Sequence, residues 1–207
     1  VRLVGAEIAK CLQGVDEPSL RLRGRGDHDL NPETAPPTKT TPAAVLVPVV
    51  DRPDGMTLLF TRRTAHLAHH AGQVSFPGGR VEDEDPDAVT TALRETAEEI
   101  GLCPRSVEII GRLDAYVTGT GFTITPIVGI VNPPFELTLD SFEVAEAFEV
   151  PLSFLIDPAN RQRCMRTEAS GKERYFYAFS FGQHYIWGAT AGILVNLQEA
   201  LAEICCA

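Results

Sequence analysis

Basic residues are in short supply in this sequence: 18 lysines and arginines face 28 aspartates and glutamates, a formal net charge of −10 over 207 residues. That balance argues against a nucleic-acid or anionic-membrane surface, since both draw on an excess of Lys and Arg. An anionic small molecule would need a metal ion or a local basic patch. The five cysteines, Cys11, Cys103, Cys164, Cys205 and Cys206, are scattered, odd in number and without metal-ligand spacing, as expected of reduced thiols in a cytoplasmic protein. No apolar run reaches membrane-spanning length, and the first residues lack the charged-then-apolar layout of a secretory signal. Internal repeats and low-complexity segments are also missing. What is present is 44% hydrophobic residues, enough for the core of one domain with an extension.

The chemistry concentrates in residues 78–102, GGRVEDEDPDAVTTALRETAEEIGL, a glycine turn followed by an acidic helix. Val89, Leu93 and Ile100, with Thr96 between them, fall at helical spacing and predict one face on a core. Asp85, Pro86 and Asp87 supply a start, and Gly101 a left-handed stop. The opposite face carries Glu95, Glu98 and Glu99, three and four residues apart. Like charges so placed cost a helix about 0.2–0.5 kcal/mol per pair, and the macrodipole near a C-terminus adds to this. A hard divalent cation, which takes oxygen ligands, would convert the repulsion into coordination. The alternative is a solvated acidic face with Arg94 pairing Glu98 across one turn. No serine or cysteine motif offers a covalent nucleophile.

Around this stretch, residues 1–14 have the spacing of an amphipathic helix through Leu3, Ile8 and Leu12. Residues 21–42 read as a polar, proline-bearing linker over the surface, with Arg21, Arg23 and Arg25 as solvated charge or phosphate contacts. Residues 43–50 and 56–63 predict an antiparallel strand pair about the DRPDG turn. His66, His69 and His70 follow, better suited to a phosphate or nucleotide contact than to a transition metal, for which a third ligand is missing. Residues 106–116 and 122–131 read as strands, and 132–141 as a loop. Glu143, Glu146 and Glu149 then recur at intervals of three before a strand ending at Pro151. A hairpin about Ser170 and Gly171 has Tyr175, Tyr177 and Phe179 alternating in its second arm, as core or as a stacking surface. The tail, from His184 onward, predicts a second large helix through Ile186, Ile193, Leu197 and Leu201, packed on the opposite face of the sheet.

Gly79, Arg94, Glu95, Glu98, Glu99, Gly101 and Leu102 resemble the Nudix box: Gly, five residues, Glu, seven residues, Arg-Glu, aliphatic, one residue, Glu-Glu, one residue, Gly, aliphatic. Three positions depart from it: Asp85 stands at the first Glu, the next spacer has eight residues, and Thr96 takes an aliphatic position. The segment LLFTRRTAHLAHHAGQVSFPGG is similar to the signature before the box in the coenzyme A pyrophosphatase subgroup, through Leu59, Thr61, Arg63, Gly72, Phe76, Pro77, Gly78 and Gly79. A second Arg of that signature falls on Ala68.

The resemblance implies an α/β fold, a Nudix-type α/β/α sandwich with a mixed β-sheet between helices, in residues 43–207, preceded by a helix and linker extension in 1–42. It implies Mg2+ or Mn2+ held by Glu95, Glu99, Glu98 and the Gly79 carbonyl, with Arg94 orienting the glutamates. Glu146 and Glu143 are the candidates for the base, and Glu98 and Arg94 count with them as catalytic residues. Arg62, Arg63, His69, His70 and Phe76 are candidate substrate contacts. The implied reaction is cleavage of a diphosphate linkage in coenzyme A or a derivative, giving 4′-phosphopantetheine and adenosine 3′,5′-bisphosphate. Other nucleotide-derived substrates, such as ADP-ribose, a dinucleotide or a nucleoside triphosphate, fit the same metal site, and a non-catalytic nucleotide-binding module is the alternative of another class. The expected partner is that small molecule, with no nucleic acid and no membrane; the family also implies a homodimer.

Overall fold

Residues 5–12, 14, 25–67, 70–168 and 171–205 are described by the structure, a computed structural model, with backbone alone for 203–205. His69, Ala68, Arg21, Arg23, Ser170 and Cys206 therefore lie outside the described residues, as does the side chain of Cys205. In chain order come α1 (Gly5–Lys10), β1 (Arg25–Gly26), β2 (Thr41–Arg52), β3 (Gly55–Arg63), β4 (Val74–Ser75), β5 (Gly78–Arg80) and α2 (Ala88–Ile100). Then follow β6 (Val107–Arg112), β7 (Tyr116–Val117), β8 (Phe122–Val131), β9 (Val144–Pro151), α3 (Leu152–Ile156), β10 (Gln162–Thr167), β11 (Glu173–Phe181), β12 (His184–Trp187) and α4 (Ala189–Cys205).

The main sheet is mixed. β2 runs parallel to β8 over its length, and its other edge changes partner midway: residues 43–45 pair with β5, and 49–52 pair with β3. Pro48, which has no N–H to give to a ladder, falls between the two partners. Alternation along β2 sends Ala44, Leu46 and Val50 to one face with Leu59, Ile127 and Val131, where Ala92 and Ile100 of α2 cover them. Val47 and Val49 go to the other face with Leu58 and Phe60, covered by Ile193, Leu194 and Leu197 of α4. Helices on both faces of a mixed sheet make the expected α/β/α sandwich, and α4 does pack on the face opposite α2.

Three elements differ from expectation. Residues 184–187 are a strand, not the start of the tail helix: β12 pairs with β11, and Ile186 points into the core from that strand. Gly188, at positive φ of 66°, separates it from α4. The strand from 106 stops at Arg112, after a bulge at Ile110, and resumes at Tyr116. Residues 25–31 are built into the fold and are not a surface linker: β1 pairs in parallel with β7, and Asn31 is only 3% exposed.

Candidate active site

Helix α2 starts and stops as its residues dictate. Asp87 caps it by accepting from the Thr90 N–H at 2.7 Å, an arrangement worth about 1 kcal/mol. Gly101 ends it at φ 68°, where a Cβ would be strained. Pro86 thus lies just ahead of the cap, outside the helix. Thr96 takes its aliphatic position by turning its hydroxyl back onto the Ala92 carbonyl at 2.6 Å. The expected polar face needs one correction: Glu99 is buried, 6% exposed, among the residues α2 presses on β2 and β5.

The eight-residue spacer is absorbed ahead of the helix, where Asp85 becomes the anchor for Arg94. Its two carboxylate oxygens accept from Arg94 Nε at 3.1 Å and Nη2 at 2.8 Å, and the Thr91 hydroxyl and Glu82 N–H complete its shell. Arg94, with the carbonyl of Arg80 on the same Nη2, then reaches Glu95 at 3.0 Å and Glu98 at 3.3 Å through Nη1. The guanidinium fork holds the Asp85 carboxyl well below the usual carboxylate range. Asp85 is therefore placed to orient the motif arginine, and through it Glu95.

Glu95 and Glu99 face the strand β5. The Glu95 carboxylate rests on Gly79 so closely that a Cβ there would collide with it. Glu99 Oε2 accepts from the Gly78 N–H at 3.3 Å, and its other oxygen stands 3.6 Å from Arg63 Nη1. Burial pushes the Glu99 carboxyl up to about 8, against that hydrogen bond and Arg63, with Glu95 and Glu143 adding repulsion. Burial likewise raises Glu95, opposed by Arg94. Glu143 lies beyond Arg63, 3.5 Å from its Nη2. Glu98 is mostly solvent-exposed and touches only Arg94 among these groups.

Among the described residues, no three His, Cys, Asp or Glu side chains close on a common point as a metal centre would. Guanidinium groups stand between the carboxylates instead: Arg94 on Glu95, Arg63 on Glu99 and Glu143. The donor set nevertheless suits a hard cation, being all oxygen, with two carboxylates aimed at a glycine strand that leaves them room. Among the described residues the buried Nε of Arg63 has no hydrogen-bond partner, and the guanidinium makes two longer carboxylate contacts through its other nitrogens.

Beside β5 opens a cavity of about 510 Å³, walled by the main sheet, the β10–β12 sheet and the start of α4. Arg63 and His70 line it, as does Phe76, which stacks on Phe60 in the core at 4.8 Å. His70 sits at φ 57° with Nδ1 2.8 Å from Gln73 Oε1. Arg62 stands elsewhere. It pairs with Glu146 at 3.0 Å and lines a separate groove of about 380 Å³ with His184 and Tyr185. Glu146 is also 3.8 Å from His184 Nε2, so of the two candidate bases only Glu143 joins the Glu99 cluster. Of the alternating aromatics, Phe179 is core and Tyr175 lines the cavity. The cavity residues that the sequence reading passed over are Asp27, Arg166, Arg174, Phe176 and Trp187. The arginines at 161, 163, 166 and 174, gathered in the predicted hairpin of an otherwise acidic chain, were the available signal.

The NUDIX domain family profile matches residues 40–155. A protein of Escherichia coli K12 carrying the name uncharacterized Nudix hydrolase NudL is 41% identical over 155 residues, which are 75% of this chain and 80% of that protein. Its namesake from Cronobacter sakazakii is 40% identical over 161 residues, 78% of this chain and 83% of that one. Among solved structures, the Nudix hydrolase RenU of M. smegmatis superposes with a TM-score of 0.51 over 84% of this chain and 91% of its own, at 17% identity, a likeness of fold.

Proposed function

Since this chain belongs to the Nudix hydrolase family, we propose that it hydrolyses the diphosphate linkage of a nucleotide-derived small molecule, coenzyme A or a derivative before others. The observation that carries the reading is the pairing of Glu95 and Glu99 against Gly78 and Gly79 at the edge of a large cavity lined by arginines and aromatic rings.

Glu95 and Glu99 are the residues to hold Mg2+ or Mn2+, with Glu98 and the Gly79 carbonyl completing the set. Such a cation, when bound, supplies neutralisation of the diphosphate charge and acidifies water. Arg94, fixed by Asp85, keeps the Glu95 carboxylate turned toward β5. Arg63 exchanges its long contacts with Glu99 and Glu143 for phosphate oxygens of the substrate, and Glu143, so released, takes the proton of the attacking water. The new bond joins the water oxygen to phosphorus, the bridging P–O bond breaks, and the departing phosphate keeps the bridge oxygen. His70 and Phe76 border the path of the substrate into the cavity. Arg62 and Glu146, bound to each other over the second groove, stay outside this scheme.

The test is chromatographic product analysis after incubation with Mg2+ or Mn2+ and, separately, coenzyme A, ADP-ribose, NADH and a nucleoside triphosphate. Adenosine 3′,5′-bisphosphate from coenzyme A is the expected result. Turnover of another member of the panel alone keeps the reaction and removes coenzyme A; nucleotide binding without any product overturns the reading as an enzyme.

A further inference from the structure

The β10–β12 sheet carries an arrangement that folding does not favour. In the antiparallel register of β10 and β11, Arg166 stands directly opposite Arg174. Side chains so paired lie on one face about 4.5–5.5 Å apart at Cβ, and like charges there are destabilising. Both arginines line the large cavity, with Phe176 and Trp187 of the same sheet beside them. Arg166 lies over the Trp187 ring at 5.7 Å, and among the described residues it has no carboxylate within ion-pair distance. Phe176 meets Trp187 edge-on at 5.5 Å.

Arg174 is aimed with care. Asp27 accepts from its Nη2 at 2.8 Å and also from the Tyr116 hydroxyl at 2.8 Å and the Gly119 N–H at 2.7 Å. The guanidinium lies on Gly119, and the Tyr116 ring lies on Gly192 of α4; a Cβ at either glycine would collide with these groups. One turn later, Asn31 gives its amide to the Tyr175 carbonyl at 3.0 Å and accepts the Tyr175 N–H at 2.8 Å, standing in for a strand at that edge of β11. The segment that reads as a linker thus fixes two consecutive residues of the cavity wall. Among the described residues the remaining ion-pair partner of Arg174 is Glu168, at 3.4 Å and a third exposed, a contact that an incoming anion can replace.

We propose that Arg166 and Arg174 form a second anion-binding pair, apart from the hydrolytic carboxylates, which recognises a phosphate group that the substrate carries outside its cleaved diphosphate, and that Asp27 is the positioning residue for Arg174. The inference rests on the cavity being the substrate site of the preceding reading. It makes the small sheet the specificity wall, while α2 and β5 do the chemistry.

The experiment uses the full chain in chelator, without turnover, and follows the fluorescence of Trp187, the one tryptophan present. The probes are coenzyme A and dephospho-coenzyme A, which differ by one phosphate. The wild-type protein should bind coenzyme A at least about tenfold more tightly, the worth of one charge-assisted pair. Arg166→Gln and Arg174→Gln should each remove most of that preference and leave the dephospho probe unaffected, while Arg174→Lys keeps part of it. Asp27→Asn should reduce it too, and in turnover raise KM for coenzyme A with kcat held. Arg166, on an exposed strand position, carries the test if thermal melting shows the Arg174 or Asp27 variants unfolded. Equal affinity for the two probes in the wild type, or no fluorescence response to either, overturns the proposal, as does an Arg166→Gln protein that keeps the preference. A wild-type preference in a protein that hydrolyses nothing in the panel would sink the hydrolase reading and leave the anion pair standing; turnover of coenzyme A without preference does the reverse.

Discussion

Glu99 is a carboxyl that the fold buries at a cost, and the proposed cation site would be the reason to keep it there. Its folded value of about 8 lies above the ordinary 4.5, so between those values the folded protein holds a proton that the unfolded chain releases. Stability therefore falls as pH rises through that window, the reverse of a salt-bridged acid. Glu99→Gln should raise Tm by a few degrees near pH 9 in chelator and change it little near pH 5, while turnover falls about a hundredfold or more. Scanning fluorimetry at both pH values, with a turnover assay, checks this; a variant with wild-type rate at saturating Mg2+ would remove Glu99 from the mechanism. Asp85 works in the opposite sense. Arg94 depresses it below its ordinary 3.8, so its contribution is complete above that value and is lost as pH falls through the folded one. Asp85→Asn should flatten the acid limb of Tm against pH and lower kcat through a misdirected Arg94, with Tm and kcat measured in parallel. The motif glutamates and Arg94 were legible in the sequence because their spacing is fixed by one helical turn. The burial of Glu99 was not, since helical periodicity ranks residues by side-chain type and a sheet can press on a carboxylate as readily as on a leucine.

Between elements, the site depends on how closely α2 approaches β5. Gly79 has no unusual φ, so backbone freedom is not what it contributes; it leaves the space that the Glu95 carboxylate fills. Gly79→Ala should keep the fold, push Glu95 off β5 and cut kcat by about tenfold or more, since small displacements of a positioned group are costly. Circular dichroism together with steady-state kinetics separates that outcome from unfolding. Strands β2, β3, β8 and β9 and helix α2 were legible because an unbroken apolar run, an alternation or a helical period extends over eight residues or more in each. β12 was not: in HYIW only Ile186 turns to the core, and Ile186 also fits the helical spacing of Ile193 and Leu197. β1 and the turn after it escaped for another reason. Two residues of strand leave no period to read, and the segment is held by Asp27 and Asn31, polar side chains whose partners lie 89 to 147 residues away.

For the molecule as a whole, the sign of its charge and the character of its cavity are opposed. An acidic chain gathers Arg63, Arg80, Arg166 and Arg174 around one cavity, so attraction of an anionic substrate is local and the acid surface elsewhere repels it. No helix among the described residues is long and apolar enough to cross a membrane. On the proposed function, a cation taken up by Glu95 and Glu99 would bind the folded chain and not the unfolded one, so Mg2+ should raise Tm by mass action. That rise should be strongest near pH 9, where Glu99 is free of its proton, and largely absent in a Glu95→Gln, Glu99→Gln double variant. Calorimetric titration of Mg2+ into both proteins gives the same comparison without heating.

The change of partner along β2 ties the core and the chemistry to one register. A slip of one residue would turn Ala44 and Leu46 away from α2 and would at the same time take Gly78 and Gly79 out of reach of the glutamates. An intermediate in which β2 has joined β3 and β8, with β5 still loose, would already own most of its buried surface and have no working centre. If β5 closes last, recovery of turnover on refolding from urea should trail recovery of the far-ultraviolet signal, and coincident recovery would show that β5 closes together with the rest of the sheet.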